Sequence, residues 1–214
     1  MKNFEFRGCI EIKELLADKA DNEVQLMSLI ETVPVDSIYY HTHGYFLRHF
    51  YLTGQYPNDF ANWVALEVRD RVLGEKLGFI TPFGNKTLED IRNELLDTID
   101  NHLSIIKTIP SVESGESFFF MKSRIMEIPM GISANNLYGF MEAMRVVHAS
   151  AIYNHIFEAR LRMKRGKSDF SIWLDETLGL NELADKIERL DCYMYSLEDL
   201  RAKIINLCEE EAKK

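Results

Sequence analysis

Two histidine–arginine pairs are the residues of this sequence with the clearest capacity for chemistry. His41 precedes Arg48 by seven positions, and His155 precedes Arg162 by the same seven positions. At 3.6 residues per turn, this spacing brings both side chains to nearly one face of a helix. Arginine offers a planar fork of donors and histidine a neighbouring donor or proton carrier, which together suit an anion or another polar ligand. The spacing therefore predicts ligand binding at both pairs.

A structural role explains the same pairs and is the favoured interpretation. Arg48 and Arg162 can bond to Asp59 and Asp169, or to carbonyls at helix C-termini, and so fix the turn between two helices. Arginine, aspartate and tryptophan recur together, as the parts of one packing motif do. Both interpretations of the pairs stay open.

Tyrosines and a second histidine lie beside these pairs. Tyr39 and Tyr153 stand two positions before His41 and His155 and are further candidates for ligand contact, although buried rings with bonded hydroxyls are favoured. Residues two apart on a helix point about 200° from each other, so His41 and His43 cannot face one ion. The sequence also lacks the phosphate-loop, dinucleotide-binding, zinc-protease and nucleophile-elbow patterns. We therefore predict no metal site, no catalytic residue and no cofactor.

The same motifs occur twice in the same order, which predicts an internal duplication. The linker between the copies is rich in Ser, Gly and Pro. We predict helical repeat one over 1–108, a linker over 109–117 and helical repeat two over 118–214, packed as one globular body about a pseudo-two-fold axis. The matched segments are Tyr39 to His41 with Tyr153 to His155, Asp59 to Trp63 with Asp169 to Trp173, and Thr87 to Arg92 with Ser196 to Arg201.

The elements that position these residues are mostly helical by pattern. We predict a mainly α fold of two pseudo-symmetric helical repeats of about 105 residues, each opening with a short β-strand. The strands near Phe4–Phe6 and Phe118–Ile128 should pair with each other, because isolated strands leave backbone groups unbonded. Helix N-caps are expected at Asp59 and Asp169, and at Thr87 and Ser196, which have an aspartate three residues on.

Composition narrows the classes of partner and compartment. The chain has 214 residues and a formal net charge of −9, which disfavours nucleic acid and anionic membrane surfaces. Three cysteines without a CxxC spacing indicate neither a disulfide framework nor a zinc site. The charged N-terminus does not resemble a signal peptide, and no apolar run is long enough to span a bilayer. A cytoplasmic protein is expected.

The duplicated motifs resemble an uncharacterised prokaryotic family, a domain of unknown function. The resemblance rests on Tyr-x-His, Asp-Phe-x-x-Trp and Leu-Glu-Asp-Ile/Leu-Arg, each present twice, and covers nearly all of the chain. It implies an accessory module that occurs near carbohydrate-metabolism enzymes, and it supplies no catalytic residues.

We therefore predict a non-enzymatic binding or regulatory accessory module with a protein partner, for which the resemblance implies a carbohydrate-metabolism enzyme. The alternative is a protein or enzyme that binds a small molecule, an anion or sugar phosphate, at a site formed by both repeats. A water-accessible cavity containing the histidines favours the alternative, and their burial in each half's core favours the module.

Overall fold

The structure is a computed structural model that describes residues 2–51, 55–82, 86–109, 112, 116–163, 167–192 and 194–214, without the side chains of residues 162 and 163. Much of the predicted linker 109–117 therefore lies outside the described residues. At its described position 112, the Val112 N–H donates to the carbonyl of Asp21 at 2.9 Å.

Two long strands form a two-stranded antiparallel sheet. Strand β1 covers Phe4–Ala20 and strand β2 covers Phe118–Ala134, 17 residues each. The predicted pairing of the two strands with each other is confirmed, but because they run antiparallel their aromatic starts do not face each other. The strands are much longer than expected, since β2 continues past Pro129 and through Gly131, whose φ of 67° is a left-handed backbone that glycine adopts without strain.

The predicted fold class is wrong. A mainly α fold of two pseudo-symmetric helical repeats was expected, but the structure is mixed α/β, with 57% helix and a sheet made of both long strands. The all-α description and the internal duplication are not supported for the same reason.

The length of β1 escaped prediction because of its composition. Residues 11–19 read Glu-Ile-Lys-Glu-Leu-Leu-Ala-Asp-Lys, in which most types favour helix over strand. Apolar and polar residues do not alternate in this stretch, so no pattern marks a strand. Seven of these nine residues are exposed and the other two are half-buried. Pairing with β2 overrides the local preference.

Twelve α-helices accompany the sheet in the described part of the chain. Those before β2 are α1 (Glu23–Thr32), α2 (Val35–His41), α3 (His43–Arg48), α4 (Asp59–Trp63), α5 (Arg71–Gly78) and α6 (Leu88–Leu103). Those after β2 are α7 (Leu137–Val146), α8 (Ala149–Tyr153), α9 (Ala159–Met163), α10 (Asp169–Glu176), α11 (Asn181–Glu188) and α12 (Leu197–Glu211). A π-helical turn, Val64–Val68, follows α4, and another, Asn154–Glu158, joins α8 to α9.

The helix caps confirm two predictions and correct two. Thr87 and Ser196 form capping boxes at the starts of α6 and α12, as predicted. The N-caps of α4 and α10 are Asn58 and Ser168, one residue before the predicted aspartates, and each side chain accepts from the backbone three residues on. Asp59 therefore begins α4 and keeps its carboxylate for other partners.

The chain divides into two compact units that do not follow chain order. Unit 1 comprises Met1–Ile10, His49–Thr53 and Ile125–Lys214, and unit 2 comprises Glu11–Arg48 and Gly54–Arg124. The start of β1 belongs to unit 1 with α7 to α12. The start of β2 belongs to unit 2 with α1 to α6.

Each unit buries the aromatic start of one strand in its own core. In unit 2, Phe118 stacks on Phe60 with ring centroids 5.2 Å apart and meets the edge of Trp63 at 5.6 Å. In unit 1, Phe4 lies 5.4 Å from Phe170 and 5.5 Å from Trp173. In unit 1, these helices therefore cover a strand start that comes from the other end of the sequence.

Candidate functional site

His41 lies at the end of α2 and bonds through both ring nitrogens. Nδ1 is 2.8 Å from the Asp59 carboxylate, and Nε2 accepts from the backbone N–H of Met121 at 3.0 Å. A backbone N–H can only donate, so Nε2 is unprotonated and Nδ1 carries the hydrogen that Asp59 accepts. The imidazole thus links α2, α4 and β2.

Burial keeps this histidine neutral. The His41 side chain is 4% exposed. Burial lowers its pKa below 6.5, although the hydrogen bond and the charge of Asp59 oppose this effect. A neutral ring with both nitrogens bonded has no further donor or acceptor to offer a ligand.

Arg48 is equally occupied within unit 2. Its Nη2 donates to Asp59 at 2.5 Å, and its Nη1 donates to the Tyr40 carbonyl at 2.8 Å. The guanidinium carbon also lies 3.8 Å from the centroid of the Tyr40 ring. Nη1 of Arg48 is 3.7 Å from Oε1 of Glu11. Desolvation raises the pKa of the Tyr40 hydroxyl, while the charge of Arg48 opposes that rise. The guanidinium fork predicted to grip a ligand holds the protein's own groups instead.

His155 repeats the arrangement of His41 in unit 1. Its Nδ1 lies 2.9 Å from the Asp169 carboxylate, and its Nε2 accepts from the backbone N–H of Arg7 at 2.9 Å. Its side chain is 3% exposed. The side chain of Arg162, the predicted partner, lies outside the described residues. The ring links the π-helical turn after α8 to α10 and β1.

Tryptophans hold the chain just ahead of the two strands. The Trp63 indole N–H donates to the carbonyl of Glu116 at 2.7 Å, and the Trp173 indole N–H donates to the carbonyl of Lys2 at 2.9 Å. We call each set of histidine, aspartate and tryptophan a strand clamp: His41, Asp59 and Trp63 in unit 2, and His155, Asp169 and Trp173 in unit 1. Each strand clamp bonds to the backbone and so is independent of the side chains it holds.

The two predicted tyrosines are core residues. Tyr39 is 8% exposed and stacks on His43 with ring centroids 5.5 Å apart, and Tyr153 is fully buried and stacks on Phe157 at 5.3 Å. The Tyr153 hydroxyl donates to Glu158 at 3.2 Å. Burial lowers the pKa of His43 to about 4, against a hydrogen bond to the carbonyl of Pro82. His43 and His41 therefore serve separate structural contacts.

An open cavity of about 350 Å³ borders the unit 1 strand clamp. Phe4, His155 and Trp173 contribute its aromatic wall, and Ile172 and Thr177 lie beside them. The charged residues that line the cavity are Lys2, Glu5, Arg7, Glu127, Asp169 and Glu176. Four carboxylates against two cationic groups give the cavity an acidic lining.

A third cluster of polar groups escaped the sequence analysis. Glu23, Asp70 and His102 in unit 2 each offer one ligand atom, and these atoms lie within 4.8 Å of one another. The three residues are far apart in the sequence, and no spacing rule for metal ligands joins them. Only the tertiary packing of α1, α5 and α6 brings them together.

These features define a class of mixed α/β protein in which helices grip the starts of two long paired strands through histidine and tryptophan. The chain belongs to DUF5752, a family of unknown function, and the model of this family matches residues 1–209. The resemblance inferred from the duplicated motifs is thereby confirmed.

Among solved structures, the chain is similar to OrfY from Thermoproteus tenax, with 26% sequence identity and a TM-score of 0.78. The match covers 98% of this chain and 95% of that chain. No curated protein matches. Among the helices that the structure describes, none has the length and apolar character that a membrane crossing requires.

Proposed function

We propose that this protein is a non-enzymatic binding module. The observation that carries the proposal is the use of both ring nitrogens of His41 and of His155 in holding a strand start. Acid–base chemistry needs a nitrogen that can exchange a proton with a substrate, and these nitrogens are bonded to a carboxylate and to a backbone N–H. The two histidines with the clearest capacity for chemistry therefore have a structural role, which is to hold the strands.

The ligand surface of this module is the unit 1 cavity. Its exposed carboxylates, Glu5 and Glu176, face the same opening as the aromatic wall of Phe4 and Trp173. Carboxylates beside an aromatic face suit a cationic group, which gains both ion pairing and attraction to the ring. His155 lines this cavity, which by the criterion set from the sequence favours a small-molecule site. An anion or sugar phosphate would nevertheless meet a net repulsive lining, so a cationic ligand is better supported.

A basic side chain of a partner protein is the occupant that this chemistry fits. Lysine and arginine present a cation on a flexible apolar stem, which matches a cavity lined by more carboxylates than cations and by aromatic rings. The net charge of −9 also attracts basic partners over longer distances. A carbohydrate-metabolism enzyme as that partner, and a cytoplasmic location, stay predictions from the sequence.

The test is a titration with tetralysine, an uncharged peptide of equal length and glucose 6-phosphate, followed by two-dimensional amide NMR. Tetralysine should shift amides of residues 2–7 and 169–177, whereas the other two ligands should leave them in place. The double variant E5Q/E176Q should bind tetralysine roughly 2- to 30-fold more weakly, because each exposed ion pair contributes about 0.2 to 1 kcal/mol.

The matched control is D185N/E210Q, which removes two exposed carboxylates of unit 1 that do not line this cavity. It should bind tetralysine as the parent does after allowance for net charge. Equal weakening in both double variants would reveal a non-specific effect of charge and overturn the proposal. Binding of glucose 6-phosphate in the cavity would favour the small-molecule alternative.

A further inference from the structure

Glu23 is a buried carboxylate without a hydrogen-bond partner. The residue is fully buried at the first position of α1, and neither carboxylate oxygen has a bonding partner within the described structure. Burial of a carboxylate costs free energy unless another group compensates its charge or holds its proton. Desolvation, assisted by the charge of Asp70, raises the pKa of Glu23 to about 7. The fold thus buries a carboxylate that has no hydrogen-bond partner, at a place where, among the described groups, only the N-terminus of α1 favours its charge.

Two ligating side chains converge on this carboxylate. Asp70 uses one oxygen to cap α5 by accepting from the Leu73 N–H at 2.8 Å, and its other oxygen lies 2.8 Å from Nε2 of His102. His102 is in the last turn of α6 and its side chain is 5% exposed. The cluster therefore presents two carboxylates and an imidazole nitrogen from three helices of unit 2.

We propose that Glu23, Asp70 and His102 bind a divalent first-row transition cation, Zn²⁺ or Mn²⁺. The donor set of two oxygens and one nitrogen suits these ions, and three protein ligands leave one position for water. Ligands at 2.0 to 2.2 Å in tetrahedral geometry are about 3.4 Å apart. The present spread of up to 4.8 Å therefore needs only side-chain adjustment.

The helices themselves do not require this cluster. In unit 1, α7 begins with Leu137, α11 follows Leu180 and α12 ends with Glu211. Those three helices form without two carboxylates and a histidine at one point, and α11 forms without a side-chain cap. The cap of α5 and the bond between Asp70 and His102 leave the buried Glu23 carboxylate unexplained, whereas a cation accounts for its place beside the other two side chains.

Lys76 limits the affinity of the site. Its ammonium lies 3.4 Å from Nδ1 of His102, on the side away from Asp70, and the residue is exposed. A metal on Nε2 leaves Nδ1 protonated, so this ammonium must swing into solvent. Replacing Lys76 with methionine should therefore strengthen cation binding by about fivefold, since it removes a repulsion between like charges near the surface.

The experiment is calorimetric titration of metal-free protein with ZnCl₂ and MnCl₂, together with the visible spectrum of the Co²⁺ form. We expect one cation per chain. E23Q and D70N should each weaken binding by about 100-fold or more, since even partners outside the ligand shell contribute 10- to 100-fold. D70N keeps the helix cap, because asparagine caps as well as aspartate, so its effect is separable from misfolding. K76M should bind more tightly.

The control variant is D97N/D100N, which removes two exposed carboxylates of α6. It should leave the stoichiometry, the affinity and the Co²⁺ spectrum unchanged. Failure of the parent protein to bind any of the three ions, or equal affinity in the parent, E23Q and D70N, would overturn the proposal. Neither outcome bears on tetralysine binding, which uses residues of unit 1.

Discussion

Replacing Glu23 with glutamine should stabilise the metal-free protein at neutral and alkaline pH. The pKa of Glu23 is about 7 in the folded chain and 4.5 as its ordinary value. Between these values the unfolded chain releases the proton and the folded chain retains it, so the parent loses stability as the pH rises. Each pH unit corresponds to 1.36 kcal/mol, so the loss approaches about 3 kcal/mol above pH 7. Glutamine has the same shape and no charge, so the variant escapes this loss.

The assay is urea unfolding of the parent and E23Q at several pH values from 4 to 8, in the presence of a chelator. The free energy of unfolding of E23Q minus that of the parent should rise by about 3 kcal/mol between pH 4.5 and 8. A difference that is constant over this range would show that Glu23 ionises normally and would refute the argument from its burial. Added Zn²⁺ should raise the free energy of unfolding of the parent and leave that of E23Q unchanged.

Three further predictions concern the strand clamps and His43. D59N and D59A should both lose roughly 2 to 3 kcal/mol in denaturant unfolding, because the carboxylate serves a histidine and an arginine. N58D, which keeps a capping oxygen and removes the donor to the Leu77 carbonyl, should lose about 1 kcal/mol; a mild D59N would contradict this assignment. The pKa of His43 is about 4 in the folded chain, so between pH 6.5 and 4 the unfolded chain protonates His43 and the folded chain does not. The free energy of unfolding should therefore fall by up to about 3 kcal/mol as the pH is lowered over this range, and H43F should remove that part of the pH dependence. W173F should lose about 1 kcal/mol with the bond to Lys2 and speed amide hydrogen exchange at residues 4–6, and unchanged exchange would count against the strand clamp.

The sequence predicted local features wherever neighbouring residues decide them. The capping boxes of Thr87 and Ser196 follow from a hydroxyl and an acid three residues apart, and both occur. Asp59 was misassigned as the cap because Asn58, also a good cap, precedes it, and the Asp59 carboxylate instead bonds to His41 and to Arg48. The length of β1 depends on pairing with a strand about a hundred residues away, which the helix-favouring types of residues 11–19 conceal.

The candidate sites depended on tertiary structure even more. The recurrence of arginine, aspartate and tryptophan predicted a packing motif, but the part of the histidines in it and the backbone partners at Met121 and Arg7 could not be read from spacing. Glu23 and His102 look like ordinary charged residues of amphipathic helices, and only their burial beside each other makes them notable. A cluster that forms only by contact between distant helices has no motif in the sequence.

The measurement that tests the central claim most directly is the tautomeric state of His41 and His155 by long-range proton–nitrogen NMR, with and without tetralysine. If both rings hold strands, each should carry its hydrogen on Nδ1, with Nε2 unprotonated and accepting from the backbone, and neither should change when the peptide binds. Hydrogen on Nε2 of either ring, or a Nε2 resonance that moves when ligand is added, would contradict the strand clamps and return these histidines to a chemical role.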